Sequence, residues 1–282
     1  MKVLKTLAGL ACGLAVAGAA FAADPVKIGL ILPMSGPFAA YGKQIEHGVK
    51  LYLAQHGDTY GGRKVELILK DDNPGASGDV DKRLAQELVV KDKVDILAGF
   101  GLTPSAFAVA PVATEAKKPM VVMNAATSAI TTKSPYIIRT SMTLPQNTAP
   151  VASWAAKNGI KKVFTLVADY GPGHDSEAQF KKTFTAAGGQ IVGEVRVPVK
   201  NPDFAPFLQK IKDTKPDAVF LFLPPAATAA LLPVVLAALP PGGRVVAHEQ
   251  LAVSWPVPPR RSQLVLGDGA AAGVTVAHLF AR

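Results

Sequence analysis

Between Val26 and Leu223, short apolar runs alternate with helix-patterned stretches, and this alternation constrains the fold more than any other feature of the chain. Runs at Lys27–Leu32, Val65–Lys70, Asp95–Ala98, Met120–Met123, Lys162–Ala168, Gln190–Pro198 and Asp217–Leu223 read as strands. Near-continuous apolar strands are the mark of a sheet covered on both faces, and the stretches between them supply the covering helices. Those helices are expected at Tyr41–Gln55, Gly78–Lys91, Pro104–Ala116, Pro145–Asn158, Pro172–Ala187 and Asp203–Thr214. Several open with proline in the first turn, where its missing N–H removes no helical hydrogen bond. The class is therefore α/β, built from βαβ units with parallel sheets. A connection near Ile137–Gln146 separates two sets of units, which predicts a first lobe over residues 23–142 and a second over 143–250.

The N-terminus addresses the compartment. Lys2 and Lys5 precede an apolar stretch from Leu7 to Ala17, and Ala20-Phe21-Ala22 places small residues where a signal peptidase reads them. A cleaved export signal over residues 1–22 and a periplasmic mature chain are expected. The apolar run is shorter than the roughly 20 residues of a membrane span. Cys12 is the only cysteine and lies inside that run, with Gly9 where a lipoprotein signal would want leucine. The mature chain would then hold no thiol, which excludes disulfides and cysteine-based metal sites. Losing Lys2 and Lys5 lowers the formal charge from +9 to +7. The lysines are dispersed singly or in pairs without interleaved aromatics, so they read as solvated faces and not as a nucleic-acid surface.

The composition changes near Pro224. No lysine follows Lys215, and Pro240-Pro-Gly-Gly-Arg244 and Pro256-Val-Pro-Pro-Arg-Arg261 replace the earlier pattern. Pro233 falls inside what would be a helix over Ala226–Ala238, at a cost of roughly 3 kcal/mol. The expectation is a segment translated out of frame, with residues 251–282 a disturbed and truncated return.

Enzyme signatures fall short of their chemistry. Gly36 to Lys43 imitates a phosphate loop but has one residue too many and Gln44 where a magnesium ligand is required. Gly99-x-Gly101 lacks the third glycine of a dinucleotide fingerprint, and no Gly-x-Ser-x-Gly elbow occurs. The five histidines lack metal-ligand spacing, and His174-Asp-Ser-Glu177 reads as a polar helix start. Asp71-Asp72 read as structural. No cofactor, metal or catalytic residue is expected, and the chain is not expected to be an enzyme. Gly99-Phe-Gly-Leu-Thr-Pro-Ser105 carries more: it follows a strand and opens a helix, with Thr103 as N-cap and Pro104 in the first turn. Helix N-termini at the carboxyl ends of parallel strands attract anions, so a solute carboxylate fits there beside Thr103 and Ser105.

Four blocks resemble the branched-chain amino-acid-binding (Leu/Ile/Val-type) periplasmic proteins of ABC transporters. They are Lys27–Leu53, Val65-Glu-Leu-Ile-Leu-Lys-Asp-Asp-Asn-Pro74, Asn124-Ala-Ala-Thr-Ser128 and the stretch Asn201–Asp217. Leu266–His278 also looks like the family's strand after a Gly-Asp turn, which would put the frame back near Gly267, with the chain stopping before the family's usual end. The resemblance implies a type I periplasmic-binding-protein fold, C-terminally incomplete here, of two Rossmann-like lobes joined by a hinge. It implies a monomer that delivers an amino acid, or a related apolar or aromatic carboxylate, to the permease subunits of an importer. A sensory receptor ectodomain of the same fold is the alternative. By the family pattern, the Ala125 carbonyl would take a ligand ammonium and the Thr127 hydroxyl its carboxylate. Tyr170 would cover the solute with its ring, and Glu249 would be the acidic partner from the second lobe.

Overall fold

A computed structural model describes residues 24–73, 78–199 and 204–247, together with the backbone of two later strands, Gln263–Gly267 and Val274–His278. The first lobe is a six-stranded sheet. Its strands are β1 (Val26–Leu32), β2 (Thr59–Tyr60), β3 (Arg63–Asp71), β4 (Ile96–Gly99), β5 (Met120–Val122) and β6 (Ile137–Arg139), in the order β2-β3-β1-β4-β5-β6. All pair in parallel except β2, which forms a short antiparallel hairpin with β3. The second lobe carries β7 (Lys162–Ala168), β8 (Gln190–Val197), β9 (Ala218–Phe222) and β10 (Arg244–Ala247) in the all-parallel order β10-β9-β7-β8. The late strands, β11 (Gln263–Gly267) and β12 (Val274–His278), pair with each other antiparallel.

Helices cover both faces of each large sheet, as apolar strands require. In the first lobe α2 (Gly78–Val90) and α3 (Thr103–Glu115) pack Leu84, Leu88, Val109 and Ala113 against Ile31, Leu97 and Met120. The opposite face, with Leu30, Leu32 and Ala98, meets Ile45 of α1 (Ala39–His56). In the second lobe α4 (Leu144–Lys157) and α5 (Gly171–Ala186) bury Leu144, Val151, Phe180 and Phe184 against Val163 and Phe220. Phe180 stacks on Phe220 with ring centroids 4.2 Å apart. On the other face α6 (Ala205–Thr214) and α7 (Pro225–Ala238) set Ile211, Leu231 and Val235 over Phe164, Leu166 and Val219. Fully burying each such side chain contributes about 1.5–3 kcal/mol. No helix among the described residues is long and apolar enough to cross a membrane.

The predicted elements form within two residues of their expected ends, and the differences have physical reasons. Leu102, not Thr103, is the N-cap of α3, with an extended backbone and no side-chain cap; Thr103 is the first helical residue and spends its hydroxyl elsewhere. The connection between the lobes contains β6, whose three residues are too few to show a period. Regular structure also continues past Pro224. The helix α7 spans Pro233, and β10 pairs in register with β9, so the composition break does not coincide with a break in the second sheet. Residues 248–262 lie outside the described set.

Candidate ligand-binding site

Loops at the carboxyl ends of the two sheets meet between the lobes, and each sheet contributes a helix N-terminus of the same design. In α3 the first three residues are Thr103-Pro104-Ser105, and in α5 they are Gly171-Pro172-Gly173. The first helical hydrogen bonds come from the fourth residues, Ala106 N–H to the Leu102 carbonyl at 3.2 Å and His174 N–H to the Tyr170 carbonyl at 3.0 Å. Proline has no N–H, so each end offers the amides of its first and third residues, which have no acceptor within their own helix. Neither N-cap supplies a side-chain acceptor. Helix ends with free amides favour negative charge.

The two ends are in contact. A methyl group added at Gly171 would lie 3.5 Å from Thr103 Cγ2 and 3.5 Å from Thr127 Oγ1. The Thr103 and Thr127 hydroxyls are buried and 2.9 Å apart, bonded to each other. Glycine at 173 is a packing necessity, because a Cβ there would fall 1.9 Å from the Ala168 carbonyl oxygen as β7 turns into α5. The matching turn after β4 is tighter still in backbone terms. Gly99 has φ of +109°, and Phe100, wholly buried, follows in the left-handed region at +63°. A bulky residue there costs on the order of 1–3 kcal/mol. It is held by its N–H donating to the Ile31 carbonyl at 2.8 Å and its own carbonyl accepting from Ala125 N–H at 2.9 Å. Asn124 Nδ2 donates to the Gly101 carbonyl at 2.7 Å, so the loops after β4 and β5 are tied into one surface.

The candidate residues divide accordingly. Thr103 and Thr127 converge at the cleft, and Ala125 is buried in the same loop pair. Ser105 brings its backbone amide to the helix end, but its hydroxyl is taken: it donates to Asp81 Oδ1 at 2.5 Å, with both side chains buried. Tyr170 is the N-cap of α5 and packs between the two apolar clusters of the second lobe. Burial pushes its phenol well above the ordinary tyrosine value, so it stays a neutral hydroxyl. Glu249 lies outside the described residues.

Sequence reasoning missed three charged groups around this site. Arg139, at the end of β6, donates from Nη2 to the Thr127 carbonyl at 2.5 Å, and burial lowers its pKa while Asp175 opposes that shift. Asp175 of α5 accepts two hydrogen bonds from Ser128 across the cleft, from N–H at 2.8 Å and from Oγ at 2.9 Å. Asp81 stands beneath α3 beside Asp72, which sits 3% exposed at the end of β3 with Oδ1 unpartnered. Burial, the Asp81 carboxylate and then the Asp71 carboxylate push Asp72 up to about 7. An arginine closing the apolar run Tyr136-Ile-Ile was the one local signal for Arg139; Asp81 and Asp175 had none, being polar residues in helix patterns.

The periplasmic binding protein family profile matches residues 25–247. The chain belongs to that family. Among solved structures, a solute-binding protein of an ABC transporter from Rhodopseudomonas palustris BisB5, in complex with 3,4-dihydroxybenzoic acid, is 53% identical. The match covers 80% of this chain and 62% of that one, with a TM-score of 0.72. A second R. palustris solute-binding protein, in complex with 4-hydroxybenzoate, is 45% identical with the same coverage and TM-score. Among curated relatives, the Leu/Ile/Val-binding protein homolog 6 of Brucella abortus is 50% identical over 213 residues, 76% of this chain and 54% of that protein. The chain thus spans about half the length of the curated relatives it matches. The family match reaches residue 247, beyond the composition break at Pro224, which agrees with α7 and β10 completing a regular βαβ unit.

Proposed function

We propose that this periplasmic binding protein captures a small carboxylate, best a hydroxylated benzoate, between its lobes without chemistry, for delivery to an ABC importer. The carrying observation is the convergence of two proline-containing helix N-termini on the Thr103–Thr127 hydroxyl pair. A carboxylate there would replace the hydroxyl–hydroxyl bond and take the Thr103, Ser105, Gly171 and Gly173 amides as donors. Charge-assisted bonds of this kind are about twice as strong as neutral ones. Residues 23–142 and 143–250 are the two lobes in this reading, with β6 and the start of α4 as the crossing between them. Ala125 would line the floor, and Tyr170 would border the ring. Glu249 would then be a partner for a ligand ammonium or hydroxyl. The export pattern of residues 1–22 supports a periplasmic site of action, and a monomer suffices for a cleft contained in one chain.

The hydroxybenzoate preference draws on the ligands of the two R. palustris structures, both at or above 45% identity. Leucine is the second reading, supported by the names of the curated relatives. Calorimetric titration of the purified chain with 4-hydroxybenzoate, 3,4-dihydroxybenzoate, benzoate and leucine separates them. Binding of the hydroxybenzoates, with leucine at least tenfold weaker, is the expected result. Thr127→Val, which keeps the shape and removes the hydroxyl, should weaken that binding about tenfold, since an unpaired carboxylate oxygen costs about 1.4 kcal/mol or more. A folded chain that binds none of the four would overturn the proposal.

A further inference from the structure

The polar start of α5 sends four adjacent side chains to four different places, and only one of them leaves its own lobe. His174 Nε2 meets Asp169 Oδ1 at 2.7 Å; Ser176 bonds the Thr148 hydroxyl at 2.9 Å; Glu177 accepts from Thr165 Oγ1 at 2.8 Å and from Arg196 Nε at 2.9 Å. Those four partners are all in the second lobe. Asp175 instead reaches the first lobe and receives both the N–H and the hydroxyl of Ser128, using both carboxylate oxygens. Ser128 directly follows Thr127, whose carbonyl is held from the other side by Arg139 Nη2. The single peptide joining Thr127 and Ser128 is therefore gripped by the first lobe at its carbonyl and by the second lobe at its N–H.

We propose that Asp175 is the latch of the closed state, a positioning residue that joins the lobes at Ser128 and thereby holds the Thr127 hydroxyl in the cleft. Three features support this role. The contact is bidentate and charge-assisted, so it has a defined direction as well as strength. It joins the turn after β5 in the first lobe to α5 of the second, so it would break if the lobes parted. It also lies one turn along α5 from Gly171, the residue that meets the Thr pair, so it is separate from the groups offered to the proposed carboxylate. A latch that forms only on closing acts on release more than on capture, because the encounter with ligand precedes it. Its neighbour Arg139 adds a favourable charge facing the Asp175 carboxylate.

The latch itself is independent of ligand identity, while its effect on release rests on the proposed carboxylate site. The test uses the purified chain, Asp175→Ala, Ser128→Ala and the double variant. Small-angle scattering without ligand reads the lobes directly. The expected result is a larger radius of gyration in Asp175→Ala, a smaller increase in Ser128→Ala, whose N–H bond survives, and no further increase in the double variant. Stopped-flow kinetics with 4-hydroxybenzoate should then show dissociation about tenfold faster in Asp175→Ala with association nearly unchanged, again without additivity in the double variant. Unchanged scattering in both single variants would overturn the latch even where 4-hydroxybenzoate binds normally, and so would additive effects on release. Failure of the parent chain to bind 4-hydroxybenzoate would count against the carboxylate site alone, leaving scattering to decide the latch. Ser128→Ala, at an exposed position, keeps the test available should Asp175→Ala fold poorly.

Discussion

At the scale of single residues, burial decides what each polar group does. Ser105 and Thr103 are two positions apart on one helix end, yet one hydroxyl turns to Asp81 and the other to Thr127. Asp72 has the least comfortable place, fully buried with an unpartnered oxygen and a second carboxyl, Asp81, nearby. Its pKa of about 7 in the fold lies above the ordinary carboxylate value, so the folded chain keeps a proton that the unfolded chain loses above about pH 4. Stability must therefore fall as pH rises from about 4 to about 7 and level off beyond. Asp72→Asn keeps the shape and removes the charge. It should flatten that slope and raise the melting temperature at pH 8 by a few degrees, the shift that about 1 kcal/mol gives a domain of 150–250 residues. A scan of melting temperature against pH for both proteins checks this; a variant no more stable than its parent at pH 8 would refute it.

Elements are tied to one another by a few buried polar bonds as well as by apolar packing. The β7–α5–β8 unit is the clearest case. Glu177 of α5 is 1% exposed, yet it is paired with Arg196 of β8, whose Nη2 lies 2.8 Å from Oε2, and bonded to Thr165 of β7. The arginine is half-exposed, so its loss would let water reach the carboxylate in part. Arg196→Ala should cost on the order of 2 kcal/mol, less than the 3–5 kcal/mol of a fully buried broken pair. Equilibrium urea unfolding reads this loss directly, and a change within error of zero would mean the pair contributes nothing. The helix signals were largely legible beforehand, because proline in the first turn acts locally; the Thr143–Gln146 capping box of α4, equally local, went unread. The N-cap of α3 was misread for an instructive reason. Threonine is a good cap by itself, but the hydroxyl of Thr127, from the next loop, competes for it.

For the molecule as a whole, the proposed capture turns on how closely the two lobes approach. Gly171 sits where they touch, with room for a methyl group beside Thr103 and Thr127 and none for a larger side chain without parting them. Gly171→Leu should act as a wedge: the chain keeps its melting temperature within a few degrees, scatters as a more open particle and loses ligand binding. Scattering together with calorimetry tests this, and wild-type affinity in the variant would place the ligand elsewhere. The sequence by itself determined the α/β class, the order of strands and helices, and the helix end at Thr103–Ser105, because periodicity, proline placement and capping are properties of neighbouring residues. Only the tertiary structure brought Asp175 to Ser128, Arg139 to Thr127 and Asp81 to Asp72. Those pairs are separated by 47, 12 and 9 positions in the chain. Their partners are chosen by which loops meet at the carboxyl ends of two sheets. No local pattern encodes such a meeting, since each of these residues alone is an ordinary polar side chain on a helix, strand or turn.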